Sequence, residues 1–293
     1  MTSAKRVLPV LWLFAAASLF AQAPAGRLVT DEPGYTVRCR VDWAAGSLDV
    51  EISHQLDPSA PTLPHAKSDA ESDIQSRLGA FLISSISTVL VDSSHSYGSL
   101  LQNDPSLFSR VSAVTASVPG GSMSLSEDFS RLIARYEIPL FGTQGIASPL
   151  FPSRSVPVPR MLGWVPTRPF SGLLIYARGR LPTAGSANMA SARPALFPRI
   201  FDEDMTLVMD KSMVSPEALA RWGMVGYAAG LEDEAPLVRA GALPLRVVAR
   251  GVFGDNNTDI VIPSDGARRL LTLPENRALL RDGRIVIVLD SLE

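Results

Sequence analysis

Two runs near the start of the chain alternate apolar with polar positions. Val37, Cys39 and Val41 stand against Arg38, Arg40 and Asp42, and Leu48, Val50 and Ile52 against Asp49 and Glu51. Side chains two apart share one face of a strand, so each run predicts a strand with one buried face. The link 44–47, containing Gly46, predicts a β-hairpin. Prolines at 58, 61 and 64 end it. The period then changes. Ala66, Ala70, Ile74, Leu78, Phe81, Leu82, Ser85 and Val89 recur at spacings of three and four, which predicts one long amphipathic helix over 66–91. Asp69, Glu71 and Asp73 in its early turns suit the positive end of the helix dipole. Shorter helices are predicted near 97–102 and 105–116, and Pro119-Gly120-Gly121 closes that block.

Residues 125–138 fit two patterns. Phe129, Leu132, Ile133 and Tyr136 suit a helix, whereas Leu132, Ala134, Tyr136 and Ile138 suit a strand with Arg131, Arg135 and Glu137 opposite. Pro139 at the end favours the strand. Residues 141–169 carry six prolines and predict a connection that is long for a compact domain. Further on, 172–177 reads as a buried strand. Two strand-like runs, 199–201 and 205–209, flank the turn Asp202-Glu203-Asp204. Ser215-Pro216-Glu217 predicts a helix through Trp222, with Ser as cap and Gly223 past its end. Strands are predicted over 245–253, 258–262 and 284–289, and a short helix capped by Ser264 runs to about 273. The expectation is an α+β fold: a mixed sheet packed by one long amphipathic helix and several short ones, preceded by an N-terminal β-hairpin. The expected division is 1–23 signal, 24–64 hairpin extension and 65–293 main domain.

The N-terminus changes the picture of where the chain works. Lys5 and Arg6 precede an apolar stretch from Val7 to Phe20, and Ala21-Gln22-Ala23 fits small-x-small cleavage. This predicts a cleavable secretory signal, cut after Ala21 or Ala23, and a periplasmic mature chain. An uncleaved anchor is the alternative. No later segment approaches 18 uninterrupted apolar residues, so the mature chain is expected to be soluble. The lone cysteine, Cys39, excludes an internal disulfide, and its place far beyond the signal excludes lipid attachment there. A net charge of −2 gives no basic excess for nucleic acid.

Candidate chemistry is sparse. His54, His65 and His95 show no metal-ligand spacing with one another or with Cys39. No Gly-x-Ser-x-Gly elbow is present. Asp255-Asn256-Asn257-Thr258-Asp259 begins like a calcium loop, yet Gly266 stands where the bidentate Glu belongs, so a polar turn is the simpler reading. Adjacent carboxylates at 202–204 on a strand would point to opposite faces, which favours a turn over a catalytic pair. No catalytic residue, cofactor site or metal site is assigned.

Ser171-Gly-Leu-Leu-Ile-Tyr-Ala-Arg-Gly179 and Arg193-Pro-Ala-Leu-Phe-Pro-Arg-Ile-Phe-Asp-Glu-Asp204 resemble the FlgP/FlgT-like family of exported bacterial envelope proteins. The likeness extends over Trp222–Ala228, the closing 259–289 segment and, loosely, the long helix from Ala66. Tyr176 stands where that family has an Asp, and the lipid-attachment cysteine of many members is missing. The resemblance implies a non-enzymatic structural or assembly role, with protein partners in the envelope, flagellar motor components among them; an oligomeric state is a separate expectation. The contrasting expectation is a periplasmic binding protein for a small molecule or envelope polymer, with 141–169 as a lid; an exported hydrolase comes third. Apolar residues in 141–169, chiefly Phe151, Leu162 and Trp164, are expected to contact a partner; the alternatives are a strap packed on its own domain or a plain spacer.

Overall fold

In the computed structural model, which describes residues 26–163 and 165–292, the two alternating runs pair as a hairpin. Five strands make the first sheet: β1 (Arg27–Glu32), β2 (Tyr35–Asp42), β3 (Ser47–Gln55), β4 (Ser122–Leu125) and β5 (Arg131–Pro139). All neighbours are antiparallel, in the order β1-β2-β3-β5-β4. Between β3 and β4 come α1 (Leu63–Ile86), α2 (Tyr97–Asn103) and α3 (Pro105–Ala116). The hairpin is therefore not an extension. β3 pairs with β5 over its whole length, from Ser47 opposite Pro139 to Gln55 opposite Arg131, so a boundary at 64 would cut one sheet in two. The physical reason is burial. An isolated hairpin cannot cover its own apolar face. Here Val37, Cys39, Leu48, Val50 and Ile52 join Leu132, Ala134, Tyr136 and Ile138, all buried, beneath Ala70, Ile74, Phe81 and Leu82 of α1.

Thr62 caps α1 by accepting from His65 N, and Pro64 sits in the first turn, where no intrahelical N–H is lost. The helix stops at Ile86, short of the expected 91. The Ser87 and Thr88 hydroxyls donate back to the Ile83 and Ser85 carbonyls, a local alternative to continued helix. The ambiguous 125–138 stretch is a strand from Arg131. Phe129 makes the turn out of β4 with φ 55°. Pro139 ends β5 beyond the reach of β4, which pairs only as far as Arg135.

The second half holds β6 (Leu173–Tyr176), the small pair β7 (Leu181–Pro182) and β8 (Met189–Ala190), then β9 (Ile200–Asp202), β10 (Leu207–Met209), α4 (Pro216–Trp222), β11 (Gly226–Ala228), α5 (Glu234–Ala240), β12 (Leu245–Val248), β13 (Gly251–Phe253), β14 (Asp259–Ile262), α6 (Ser264–Thr272), α7 (Pro274–Arg281) and β15 (Ile285–Val288). One parallel sheet runs β11-β15-β6-β12; a mixed sheet runs β10-β9-β14-β13. The fold is α+β, but its strands divide among separate sheets rather than one mixed sheet. The unbroken apolar runs Leu173–Ile175 and Ile285–Val288 are buried, as strands of a parallel sheet covered on both faces must be.

The expected strand 245–253 is two strands in two sheets. Ala249 N donates to Tyr176 O of one sheet and Arg250 N to Val261 O of the other. A Cβ on Gly251 would lie 2.7 Å from Pro182 O, so only glycine permits that approach. Ser215 caps α4 through Ala218 N, and Gly223 leaves it with φ 79°. Ser264 is the first residue of α6 rather than its cap; Pro263 occupies that place. The halves share one core. Trp43 meets the edge of Tyr227 at 5.4 Å, and Leu196 N and Phe197 N donate to Leu90 O and Val91 O.

Candidate functional site: the proline-rich strap and the grooves beside it

Residues 141–169 run back along the second half and are fastened at intervals. Tyr97, fully buried, donates its hydroxyl to Ile146 O at 2.7 Å, and burial pushes that phenol far up. Phe151 lies edge-on to Phe197 at 6.3 Å and packs on the core with Leu150, Val158 and Met161. Val156 N donates to Ser212 O and Met161 N to Leu271 O. At the far end Asn276, fully buried on α7, accepts from Phe170 N at 3.0 Å and donates to Arg168 O at 3.0 Å and Arg269 O at 2.9 Å. Thr167 Oγ1 donates to Arg269 O.

The segment is thus a strap over most of its length. Phe151 points inward, which removes it from the expected contact set. Leu162 remains 82% exposed. Trp164 lies outside the described residues, as does the expected signal at 1–23. Asn276 was not singled out in the sequence. A buried Asn that binds only backbone has no motif; its place after Pro274 in a short helix is the sole hint.

Other candidate groups are satisfied locally. His54 stacks on Tyr35 at 4.0 Å and its Nδ1 lies 3.0 Å from Gly34 O. His95 sits 2.9 Å from Asp92, and His65 is exposed on α1. Asp202 closes the β9–β10 turn by accepting from Asp204 N and Thr206 N. Asp259, fully buried, accepts from Arg199 N and Nε, both at 2.9 Å, so its carboxylate is engaged by arginine. Burial raises its pKa while Arg199 and Ser93 pull against the rise. Asn256 donates to Asp92 O. Among the described residues, no group of three metal-ligating side chains converges, and no helix is long and apolar enough to cross a membrane. Arg178 and Gly179, from the segment that carries the family resemblance, both donate to Asp290, which pins the turn after β6.

Among the described residues, two of the open grooves have the larger volumes. One, of about 1060 Å³, lies on the first sheet among Arg38, Arg40, Asp49, Glu51, Arg135 and Glu137. The other, of about 640 Å³, lies between the strap end and the start of β12, with Arg168, Arg246 and Arg269 in its lining and no carboxylate there.

Residues 35–144 match a family model described as the N-terminal domain of Treponema pallidum Tp0624, and residues 172–291 match a model described as the second domain of that protein. The two matches fall on the first sheet with its helices and on the second half with its two larger sheets, and the strap lies between them. No curated protein matches the chain.

Proposed function

We propose that this chain is an exported, non-enzymatic interaction or assembly protein of the bacterial envelope. The observation that carries the reading is the strap. A segment fixed by buried contacts at Ile146, Phe151 and Asn276 still presents Leu162 almost fully to solvent. A plain spacer would instead be rich in Ser, Gly and charge, without this anchored apolar run. The signal-like N-terminus supports the periplasm as its compartment. The resemblance to FlgP/FlgT-like proteins supports a setting around the flagellar motor. The test is Leu162→Ser, with the tagged chain pulled from solubilised envelopes of its native host. The expected result is an unchanged melting temperature and the loss of protein partners captured by the unaltered chain. Retention of every partner, or recovery of the chain from the cytoplasm with Met1 intact, would reject the reading. The open groove of about 1060 Å³ on the first sheet favours a second reading, a binding protein for an envelope polymer; a ligand that co-purifies and is displaced by substitutions in that groove would support it.

A further inference from the structure

We propose that the outer edge of β12 takes an extended acidic segment of a partner protein as an added strand, with Arg168, Arg246 and Arg269 reading its carboxylates. β12 is the last strand of its sheet. Leu245 N and Ala249 N point inward, to Gly172 O and Tyr176 O. Alternation along a strand then turns the backbone N–H and C=O of Arg246 and Val248 to the open side. Among the described residues, no strand pairs there. An open edge is usually guarded by a charge or by brevity, and Arg246 alone would suffice as such a guard.

Three features go beyond a guard. First, three guanidinium groups line one groove whose lining holds no carboxylate. Among the described residues Arg168 and Arg246 have no ion pair, and Arg269 has only Asp265 at 2.9 Å, while its buried Nε lacks an acceptor. Second, the groove is built. Asn276 ties the Arg168 and Arg269 carbonyls together from beneath. Ser171 Oγ, donating to Ala240 O and accepting from Leu243 N, holds the loop that leads into β12. Third, Leu243 lines the same groove and is well exposed beside the arginines. An extended segment alternating acidic and apolar residues would set its carboxylates on one face, toward these guanidinium groups, while its backbone pairs with Arg246 and Val248.

The inference deepens the proposed interaction role by naming a surface and a partner chemistry. Its test needs neither export nor an envelope, so the two fail separately. A fluorescein-labelled ten-residue peptide alternating Asp and Val is titrated into the purified full chain at low salt, with anisotropy as readout. The controls are a Lys–Val peptide, two Asp–Val peptides N-methylated on one or the other alternate set of nitrogens, and phosphatidylglycerol vesicles. The expected result is binding of the Asp–Val peptide and of one methylated form, with none for the Lys–Val peptide. Arg168→Glu combined with Arg246→Glu, both exposed, should leave the melting temperature unchanged and weaken binding about a hundredfold, roughly tenfold for each charged pair lost. Absence of Asp–Val binding at millimolar peptide, equal binding by the double variant, or equal binding of both methylated forms would each overturn the proposal. Vesicle binding that needs the same arginines, without peptide binding, would assign the groove to anionic lipid instead.

Discussion

The groove on the outer face of the first sheet and the groove at the edge of β12 are each lined by three arginines, and they use them in opposite ways. On the sheet, Arg40 stands opposite Asp49, and Glu51 lies between Arg38 and Arg135 in the strand register. Arg135 reaches Glu51 at 2.9 Å and Arg40 reaches Asp49 at 3.6 Å. Glu137 completes the balance, three cations against three carboxylates. Exposed pairs of this kind contribute little to stability, about 0–1 kcal/mol each, but they leave no net charge seeking a partner. The groove by β12 has the smaller volume and the unbalanced charge. Volume alone ranks the sheet groove first; unmatched hydrogen-bonding capacity ranks the β12 edge first, and specificity follows the latter.

Arg239 sharpens the contrast, because it is matched without any carboxylate. It is buried and donates to Gly283 O at 2.6 Å, Trp222 O at 2.8 Å and Gly223 O at 2.7 Å, with its guanidinium 4.9 Å from the Trp222 ring. It ties the end of α4 to α5 and to the turn before β15. Arg239→Met would leave three carbonyls without these donors. The expected loss is at least about 3 kcal/mol, at about 1–3 kcal/mol for each unsatisfied buried group, read as a lower urea midpoint. The groove arginines should show no such loss; a midpoint that holds for the Arg239 variant and drops for the Arg168 variant would reverse the assignment of roles.

A smaller effect is expected at Asn276, which joins the strap to the groove. Asn276→Leu removes the bonds to Phe170 N, Arg168 O and Arg269 O while keeping most of the volume. All three partners are only part-buried, so the expected loss is smaller, about 2 kcal/mol, with faster proteolysis between 152 and 170 and weaker binding of the Asp–Val peptide. If stability falls but cleavage of the strap does not quicken, Asn276 serves α7 alone and the strap is held elsewhere.

What the sequence disclosed follows from the range of the forces involved. The β2–β3 hairpin, α1, α2, α3, α4 and β15 were legible because period and capping are local: Ser215, Pro216 and Gly223 mark α4 on their own. The split of 245–253 was not legible. Ala249 and Arg250 differ only in which sheet receives their N–H: Arg250 reaches Val261 across the β13–β14 hairpin, but Ala249 reaches Tyr176, far away in sequence. β1, β11 and α5 were too short or too weakly patterned to be read. The strap's inward face was half legible. Its apolar residues were visible, but Phe151 and Leu162 look alike in sequence and part company only because Phe197 receives one of them. Arg239 and Asn276 were invisible for a common reason: their partners are backbone groups, which carry no sequence signature.

The smallest effect tests whether the first sheet is self-satisfied down to its turns. Asp128, exposed in the β4–β5 turn, has no arginine. Its carboxylate accepts from the Ser126 and Ser130 hydroxyls and from Ser130 N. Those bonds, the Ser126 hydroxyl first, hold its pKa down to about 2 from the ordinary 3.8. A carboxyl group with a depressed folded-state pKa stabilises the fold fully above its unfolded value, and that contribution disappears as pH falls through the folded value. The window here runs from about pH 4 down to about pH 2. Asp128→Asn should therefore lower the urea midpoint slightly at pH 7, and the gap from the unaltered chain should close as pH falls through that window. A gap that stays constant from pH 7 to pH 2 would mean that the turn is held by Phe129 and the strand pairing alone, and that the hydroxyl bonds to Asp128 contribute nothing.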